Sequence, residues 1–539
     1  MSGIAVRFSK VLVLAGVTLA VAAPSGTAAN RSRVPILGVV PHHPSQLAQA
    51  PIGHPLSKAI RAAGPAELTF DAKYQSVINQ FLIDVAHDSG GTDNVYPIAD
   101  QYTDGSGAIQ YKSTFGGSYV AHNPLPASGC NDGIDSYCLT DQQLQNEIQT
   151  ALTAKGWHGG LDHMFFLVTP NRVGSCFSAA GQCSTDTFCA YHSAFTASSG
   201  EDVIYANEPY EAPLPGCTGT GDATHRAQGF PNDVDADTTV NTISHEHNEA
   251  ITDPFGDGWI AADGNENGDL CAFGFGTALG GTPGVSAWNQ VINGHHYDLQ
   301  QEWSNSENGC TLRAVDPNPS PATFGNGPLL YGGGPVMHTN TTYVIYWLPI
   351  LRNTGAPVVT GTPVVNQTLR TTAGSWDGRT TAESYQWQRC SSSGTGCADV
   401  PAATATTYKI TAADGGHVVR STVRATNVNG VSSPAASAGT KAVVDVPAAT
   451  KAPRISGRAR VGKTLSGSHG SWTYSPTYRY QWLRCNAHGA RCKNIRHATH
   501  ARYKLTRRDA EYRLRLRVTA TNAAGSVRVT TAASARVSR

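Results

Sequence analysis

The sequence predicts a multidomain chain, a mixed α/β (α+β) N-terminal domain followed by two smaller all-β sandwiches. Three observations carry that expectation. The 539 residues amount to three or four domains at roughly 100 to 200 residues each. Charged residues make up 15% and hydrophobic residues 40%, with 56 Gly and 30 Pro; this excludes a coiled coil and a low-hydrophobicity disordered chain, and suits loop-rich β domains. Near the C-terminus a pattern recurs with a period of ~95 residues, each copy a run of short alternating segments divided by turn residues.

Taken in order, the chain opens with Arg7 and Lys10, an apolar run at 11–23 and a small-residue stretch ending at Ala29. That reads as a secretory signal peptide, residues 1–29, too short to span a bilayer as a helix. No later segment offers ~20 apolar residues in a row, so the expected address is secreted, extracellular and cell-surface associated, with no transmembrane segment after cleavage. Twelve cysteines, an even number in an exported chain, favour disulfides over thiolate metal sites.

Residues 35–315 read as the mixed domain. Tyr74, Val77, Ile78, Phe81, Leu82 and Val85 share one helical face, stopped by Gly90 and Gly91. Thr140 with Gln143 forms a capping box for a second helix whose stripe is Leu144, Ile148, Ala151 and Leu152. Strand-like runs occur at 94–102, 164–169 and 203–207, and helices alternating with strands argue for a layered α/β arrangement. A Pro/Gly-rich linker is expected at 316–335. The apolar strand at 343–348, within the segment 336–348, is too hydrophobic for a linker and is expected to join the sheet of the mixed domain.

The repeats follow at 353–447 and 452–539. Gly374-Ser375-Trp376 returns as Gly470-Ser471-Trp472, the segment from Tyr385 to Cys390 as Tyr480 to Cys485, and Ala425-Thr426-Asn427 as Ala520-Thr521-Asn522. In each copy two cysteines lie seven apart, Cys390 with Cys397 and Cys485 with Cys492, and local bridges are expected. The pair resembles the immunoglobulin-like repeats at the C-termini of secreted actinobacterial proteins, which implies display or adhesion without catalysis.

One constellation has the residue types for chemistry. Between Asp237, read as the N-cap, and Pro254 lies a helix on which Val240, Ile243, Ala250 and Ile251 form one arc, while His245 and Glu249, four apart, project from the opposite side. Glu246 stands where HExxH zinc hydrolases keep the base that deprotonates metal-bound water. Glu249 replaces the second histidine of that motif. His247 falls in the apolar arc and reads as a packed core residue. Downstream, Glu266 or, as the alternative, Asp269 supplies a third ligand, which would complete an open catalytic zinc site with three protein ligands and water. A calcium reading competes: Asp263, Asn265, Asn267 and Gly268 match the opening of a calcium loop, but Gly274 stands at its twelfth position. The third reading is a solvated helix face and a plain turn. His295 and His296 read as turn residues. No Gly-x-Ser-x-Gly elbow follows a strand and no phosphate-cradling P-loop is present.

The motif from His245-Glu246 through Glu249-Ala250, Thr252-Asp253-Pro254, Trp259, Glu266-x-Gly268-Asp269-x-Cys271, Gln300-x-Glu302-Trp303-Ser304-Asn305 and Cys310 resembles secreted bacterial and fungal proteins that are similar in turn to the plant EXORDIUM, or phosphate-induced, cell-wall family. The resemblance covers roughly residues 70–348. It implies a metallopeptidase-like site with His245 and Glu249 as ligands and Glu246 as base. A bridge between Cys271 and Cys310, pinning the loop after the helix, is expected with it. The glycine-rich segment and strand that normally open the family's domain come last here, at 332–347. Cys130, Cys138, Cys176, Cys183, Cys189 and Cys217 have no pairing that the sequence decides.

Charge is divided sharply along the chain. Residues 451–539 hold 20 of the 40 Lys+Arg and only Asp509 and Glu511 as acids, near +18, so the whole-chain value of +1 describes neither half. Such a field attracts polyanions, and for an exported protein the expected partner is an anionic cell-envelope polymer rather than nucleic acid. Two functions follow. The first is a secreted, peptidase-like zinc metallohydrolase with a peptide substrate, carried to a surface by the repeats. The alternative is a non-enzymatic extracellular or cell-wall-associated binding or adhesion protein.

Overall fold

The computed structural model describes residues 37–41, 68–70, 73–133, 135, 137–178, 181–185, 187–210, 217 and 229–539; the signal peptide expected at 1–29 lies outside them. Six strands build the main sheet: β1 (Leu37–Pro41), β2 (Ser113–Ala121), β3 (His163–Val168), β4 (Phe188–Thr196), β5 (Asp202–Glu208) and β6 (Asn340–Trp347). Their spatial order is β1-β4-β5-β3-β6-β2. β5, β3, β6 and β2 run parallel, whereas β4 is antiparallel to both of its neighbours. Helices cover both faces of a parallel sheet, so its strands carry apolar runs without alternation, as in the sequence His-Met-Phe-Phe-Leu-Val of β3.

Among the described residues three helices supply the outer layers: α1 (Tyr74–His87), α2 (Asp141–Lys155) and α3 (Val234–Thr252). Met164, Phe166, Ile204 and Val344 face α1 and α3 in one core, with Ile78, Phe81, Val240 and Ile243. Their sequence neighbours Phe165, Leu167, Val203 and Ile345 face α2 in the other, with Leu144 and Ile148. The period-2 alternation of strand side chains thus feeds two hydrophobic layers at once. α2 begins at the Thr140–Gln143 capping box and ends at Gly156, whose φ of 65° is the left-handed stop that glycine adopts without a Cβ clash.

Three local expectations are corrected. The N-cap of α3 is Asp233, whose side chain accepts from Asp235 N and Ala236 N; Asp237 lies inside the first turn and accepts from Asn232 N. Residues 94–102 hold a 3-10 helix, Tyr96–Gln101, and not a strand. Asn94 Oδ1 accepts the Tyr96 N–H, and Pro97 in the first turn has no N–H to give a sheet ladder. The stretch 316–335 is not a free linker. Leu329–Tyr331 pairs antiparallel with Trp259–Ala261, and Thr323 Oγ1 donates to Ala272 O, strapping the segment onto the loop that follows α3.

Each repeat is a β-sandwich, so the protein is multidomain, with all-β units after a mixed one. In the first, β7 (Ala382–Cys390) pairs with β8 (Val418–Asn427); in the second, β9 (Thr477–Cys485) pairs with β10 (Arg513–Asn522). Trp387 and Trp482 fill equivalent core positions and are fully buried. A second shared device is a buried aspartate. Asp414 accepts from Thr411 N, Thr411 Oγ1, Tyr408 Oη and Arg389 Nε; Asp509 accepts from Thr506 N, Thr506 Oγ1, Tyr503 Oη and Arg484 Nε.

Six disulfides are formed: Cys130–Cys138, Cys176–Cys183, Cys189–Cys217, Cys271–Cys310, Cys390–Cys397 and Cys485–Cys492. That density belongs to an oxidising compartment. Among the described residues no helix is long and apolar enough to cross a membrane.

Candidate metal centre

α3 lies across β1, β4 and β5, and its sequence puts acids and imidazoles where a core helix ordinarily has aliphatic groups. His245, Glu246 and Glu249 project from it; Asp253 follows as its C-cap. The next loop brings Glu266 and then Asp269, which opens the 3-10 turn Asp269–Cys271. The strand Glu302–Ser304 brings Glu302, and β4 brings His192. The loop is fixed from several sides. The Cys271–Cys310 bridge ties it to the hairpin carrying Glu302, Gln300 Nε2 donates to Gly268 O, and Trp303 N donates to Asn267 O. Gly268 is where the backbone meets the site. A Cβ there would lie 2.9 Å from Glu249 Oε1 and 3.0 Å from His245 Cδ2, so a larger residue would push those side chains apart.

The donor atoms fall into two groups, each with its atoms within 4.8 Å of one another: His245, Glu249 and Asp269, and His192, Glu249 and Glu266. His245 Nε2 is 2.8 Å from Glu249 Oε1 and 3.7 Å from Asp269 Oδ1. His192 Nδ1 is 3.2 Å from Glu246 Oε2 and 3.7 Å from Glu249 Oε2, and its Nε2 is 3.9 Å from Glu266 Oε1. Of the residues expected from sequence, His245 and Glu249 are therefore together and Asp269 stands with them. Glu266 stands with Glu249 on the side of His192, a residue the sequence reading missed.

The expected open, wet cleft is corrected. His192, His245, Glu246, Glu249 and Glu302 are 0% exposed, Glu266 is 2% and Asp269 9% exposed. Such burial of charge needs partners, and the described residues place no lysine or arginine within ion-pair distance of these carboxylates. Both nitrogens of His245 lack a hydrogen bond, as do Glu246 Oε1, Glu249 Oε2, Asp253 Oδ2, Glu266 Oε1 and both oxygens of Glu302. His245 Nε2 and Glu249 Oε1 are thus close without hydrogen-bond geometry, which is how two ligands of one ion stand. Leaving these atoms buried and unpaired would cost several kcal/mol per charge, so the donor set fits a divalent cation.

The ionisation pattern agrees. Burial pushes Glu246 up to about 8 against the hydrogen bond from His192, and Asp269 up to about 6. Burial also holds Glu266 and Glu302 well above the usual carboxyl range, against His192 and His245 respectively. Burial opposes charge on His192 and His245, yet the surrounding carboxylates outweigh it and raise both. Without a cation the cluster relieves its charge by keeping protons, which a metal displaces.

The remaining candidates lie elsewhere. His247 is a core residue between Tyr96 Oη and Asn340 Oδ1. In the calcium-loop segment Asp263 is exposed and accepts from Asn326 N, while Asn267 is buried and accepts from Thr252 Oγ1, so the two do not converge. His295 faces Asp84 and His296 stacks on Trp288.

No protein-family model matches the chain, and no curated protein matches it. Among solved structures, three N-terminal domains of the highly immunogenic outer capsid protein Hoc of bacteriophage RB49 align over 35% of this chain and 71% of theirs, at 13% identity and a TM-score of 0.22. A Ca2+-stabilised adhesin with which an Antarctic bacterium binds ice aligns over 37% and 51%, at 15% identity and a TM-score of 0.19. The N-terminal four Ig domains of Dscam1 isoform 9.44 align over 37% and 50%, at 13% identity and a TM-score of 0.17. The chain thus spans about half the length of the latter two. At such identities and scores these likenesses carry nothing about its partners.

Proposed function

We propose that this is an exported surface-binding protein whose α/β domain is held together by a buried divalent metal centre, with zinc as the metal, and whose second repeat docks on an anionic cell-envelope polymer. The observation that carries the docking is on β10. Leu514, Leu516 and Val518 point into the sandwich and Arg513, Arg515 and Arg517 point out. Arg513 donates to Ser534 O, and Arg515 to Gly489 O and Thr531 O. Backbone carbonyls hold these guanidinium groups in place without neutralising them. The two acids of this repeat are engaged elsewhere, Asp509 with Arg484 and Glu511 with Arg536. Tyr478, Tyr480 and Tyr503 are partly buried against the sandwich core, which takes up part of the ring surface that a single-stranded nucleic acid would stack on. The full chain should bind dextran sulfate beads and cell-wall preparations and elute as salt shortens the Debye length from about 10 to about 3 Å. Arg515→Gln with Arg517→Gln should elute at lower salt than wild type, and retention indifferent to salt overturns the docking.

A second reading is a peptidase-like metallohydrolase with zinc on His245, Glu249 and Glu266 or Asp269, and Glu246 as base. It is favoured by the position of Glu246, one of whose oxygens is unpartnered beside the donors. Burial of every donor stands against it. A Glu246→Gln protein that keeps its metal and loses peptide hydrolysis would establish this reading; a metal-loaded wild type without hydrolytic activity leaves the binding protein.

A further inference from the structure

Glu249 divides the cluster in two. Its Oε1 faces His245 at 2.8 Å and its Oε2 faces His192 at 3.7 Å. Each imidazole has its own further carboxylate, Asp269 for His245 and Glu266 for His192, and the two imidazoles fall in different donor groups. We propose that the site binds two divalent first-row metal ions, one on His245 and Asp269 and one on His192 and Glu266, with Glu249 as the bridging carboxylate. The proposal rests on the metal centre argued above and adds the second ion.

Four observations support it. Ligands of a tetrahedral ion with bonds of about 2.0 to 2.1 Å stand about 3.3 Å apart; here His245 Nε2 lies 2.8 and 3.7 Å from Glu249 and Asp269, and the His192 ring lies 3.7 Å from Glu249 through Nδ1 and 3.9 Å from Glu266 through Nε2. His192 has a protein acceptor at each ring nitrogen, Asp253 O 3.2 Å from Nε2 and Glu246 Oε2 3.2 Å from Nδ1, so whichever nitrogen binds the ion, the other has an N–H acceptor that fixes the tautomer, the usual outer-shell arrangement of a ligating histidine. Glu249 Oε1 also accepts from Asp269 N at 2.8 Å, which orients the bridge. Finally, the charge favours two ions. Glu246, Glu249, Asp253, Glu266, Asp269 and Glu302 are six buried carboxyl groups, and one dication balances two of them where a pair balances four. A donor set of imidazole and carboxylate suits zinc, manganese or iron rather than calcium.

The test uses the full-length protein, stripped with a chelator, reloaded with Zn2+, dialysed exhaustively and assayed by plasma mass spectrometry. Two zinc ions per chain are expected, falling to one in His192→Ala and to one in His245→Ala. X-ray absorption of the loaded wild type should contain a metal–metal vector of about 3.5 to 4 Å, which decides the matter without any variant that fails to fold. One ion per chain, retained in His192→Ala and lacking a metal–metal vector, overturns the second ion and leaves the single centre standing. No retained zinc overturns both.

Discussion

The α/β domain and the repeats each bury carboxylates, and they treat them in opposite ways. Asp414 and Asp509 are both 0% exposed, and each is met by an arginine, a tyrosine and a threonine. Burial alone would raise these carboxyl groups, but the Thr411 and Thr506 N–H groups with the other donors hold both below the ordinary aspartate value. Around α3, six carboxyl groups crowd against two imidazoles, with no arginine or lysine within ion-pair distance among the described residues, and most are pushed up. A satisfied buried charge is a structural fastener; an acid cluster whose counter-charges among the described residues are two imidazoles has the composition of a ligand set. The difference lies in the supply of donors, since the number of buried acids alone would not tell the two apart.

Removing metal should separate the two regions most. Stripping the protein with a chelator is expected to lower the stability of the α/β domain by an amount on the order of 10 kcal/mol and to leave the unfolding of the repeats where it was. Calorimetry resolves these as separate transitions, and a joint shift would break the contrast.

Single substitutions should come next. Asp414→Asn or Asp509→Asn removes a charge that four donors use, at a cost of about 2 to 3 kcal/mol to the repeat concerned. Glu302→Gln in the stripped protein, where both carboxyl oxygens lack a partner, should change stability by less than about 1 kcal/mol, or raise it. Urea midpoints compare them, and a Glu302→Gln loss as large as that of Asp414→Asn would remove the distinction.

The smallest effect, about 1.4 kcal/mol per proton for each pH unit, should differ in sign. For the repeats the folded aspartate pKa lies below the unfolded value of 3.8. Their contribution is therefore present above about pH 4 and is lost as pH falls through the folded pKa. In the stripped α/β domain Glu246, Glu266 and Glu302 titrate above the unfolded value of 4.5, Glu246 at about 8. Stability from them is complete below pH 4.5 and declines as pH rises towards 8, with His192 and His245, also raised, acting in the same direction and Glu249, held low by His245 once burial is overcome, opposing them. Parallel pH slopes in the two regions would contradict this account.

What could be read from the sequence was local or repeated. The Thr140–Gln143 capping box, the seven-residue cysteine spacings and the duplicated Trp387 and Trp482 each carry their reason within a few neighbours or in a second copy. His245, Glu246 and Glu249 were visible because one helix spaces them. His192 was not, because it comes from a strand whose only signal is an imidazole beside Ser193 within the otherwise apolar Phe188–Phe195 run, and nothing local says which helix will cover it. The 94–102 segment looked like a strand by its apolar content, although Pro97 already argued against a ladder. Asp233 and Asp237 are equally good caps by type, and only the backbone turn at Asp233 separates them. The 316–335 stretch has the composition of a linker, and its fixing depends on partners some 50 to 70 residues earlier.

The place of β6 has a consequence for biogenesis. This strand is the last of the sheet in chain order, yet it lies between β3 and β2 and supplies the parallel partner of each. As the chain is made N-terminus first, those two strands have nothing to join them until Trp347 has emerged. Synthesis must therefore run almost to the first repeat before the sheet of this domain can be completed.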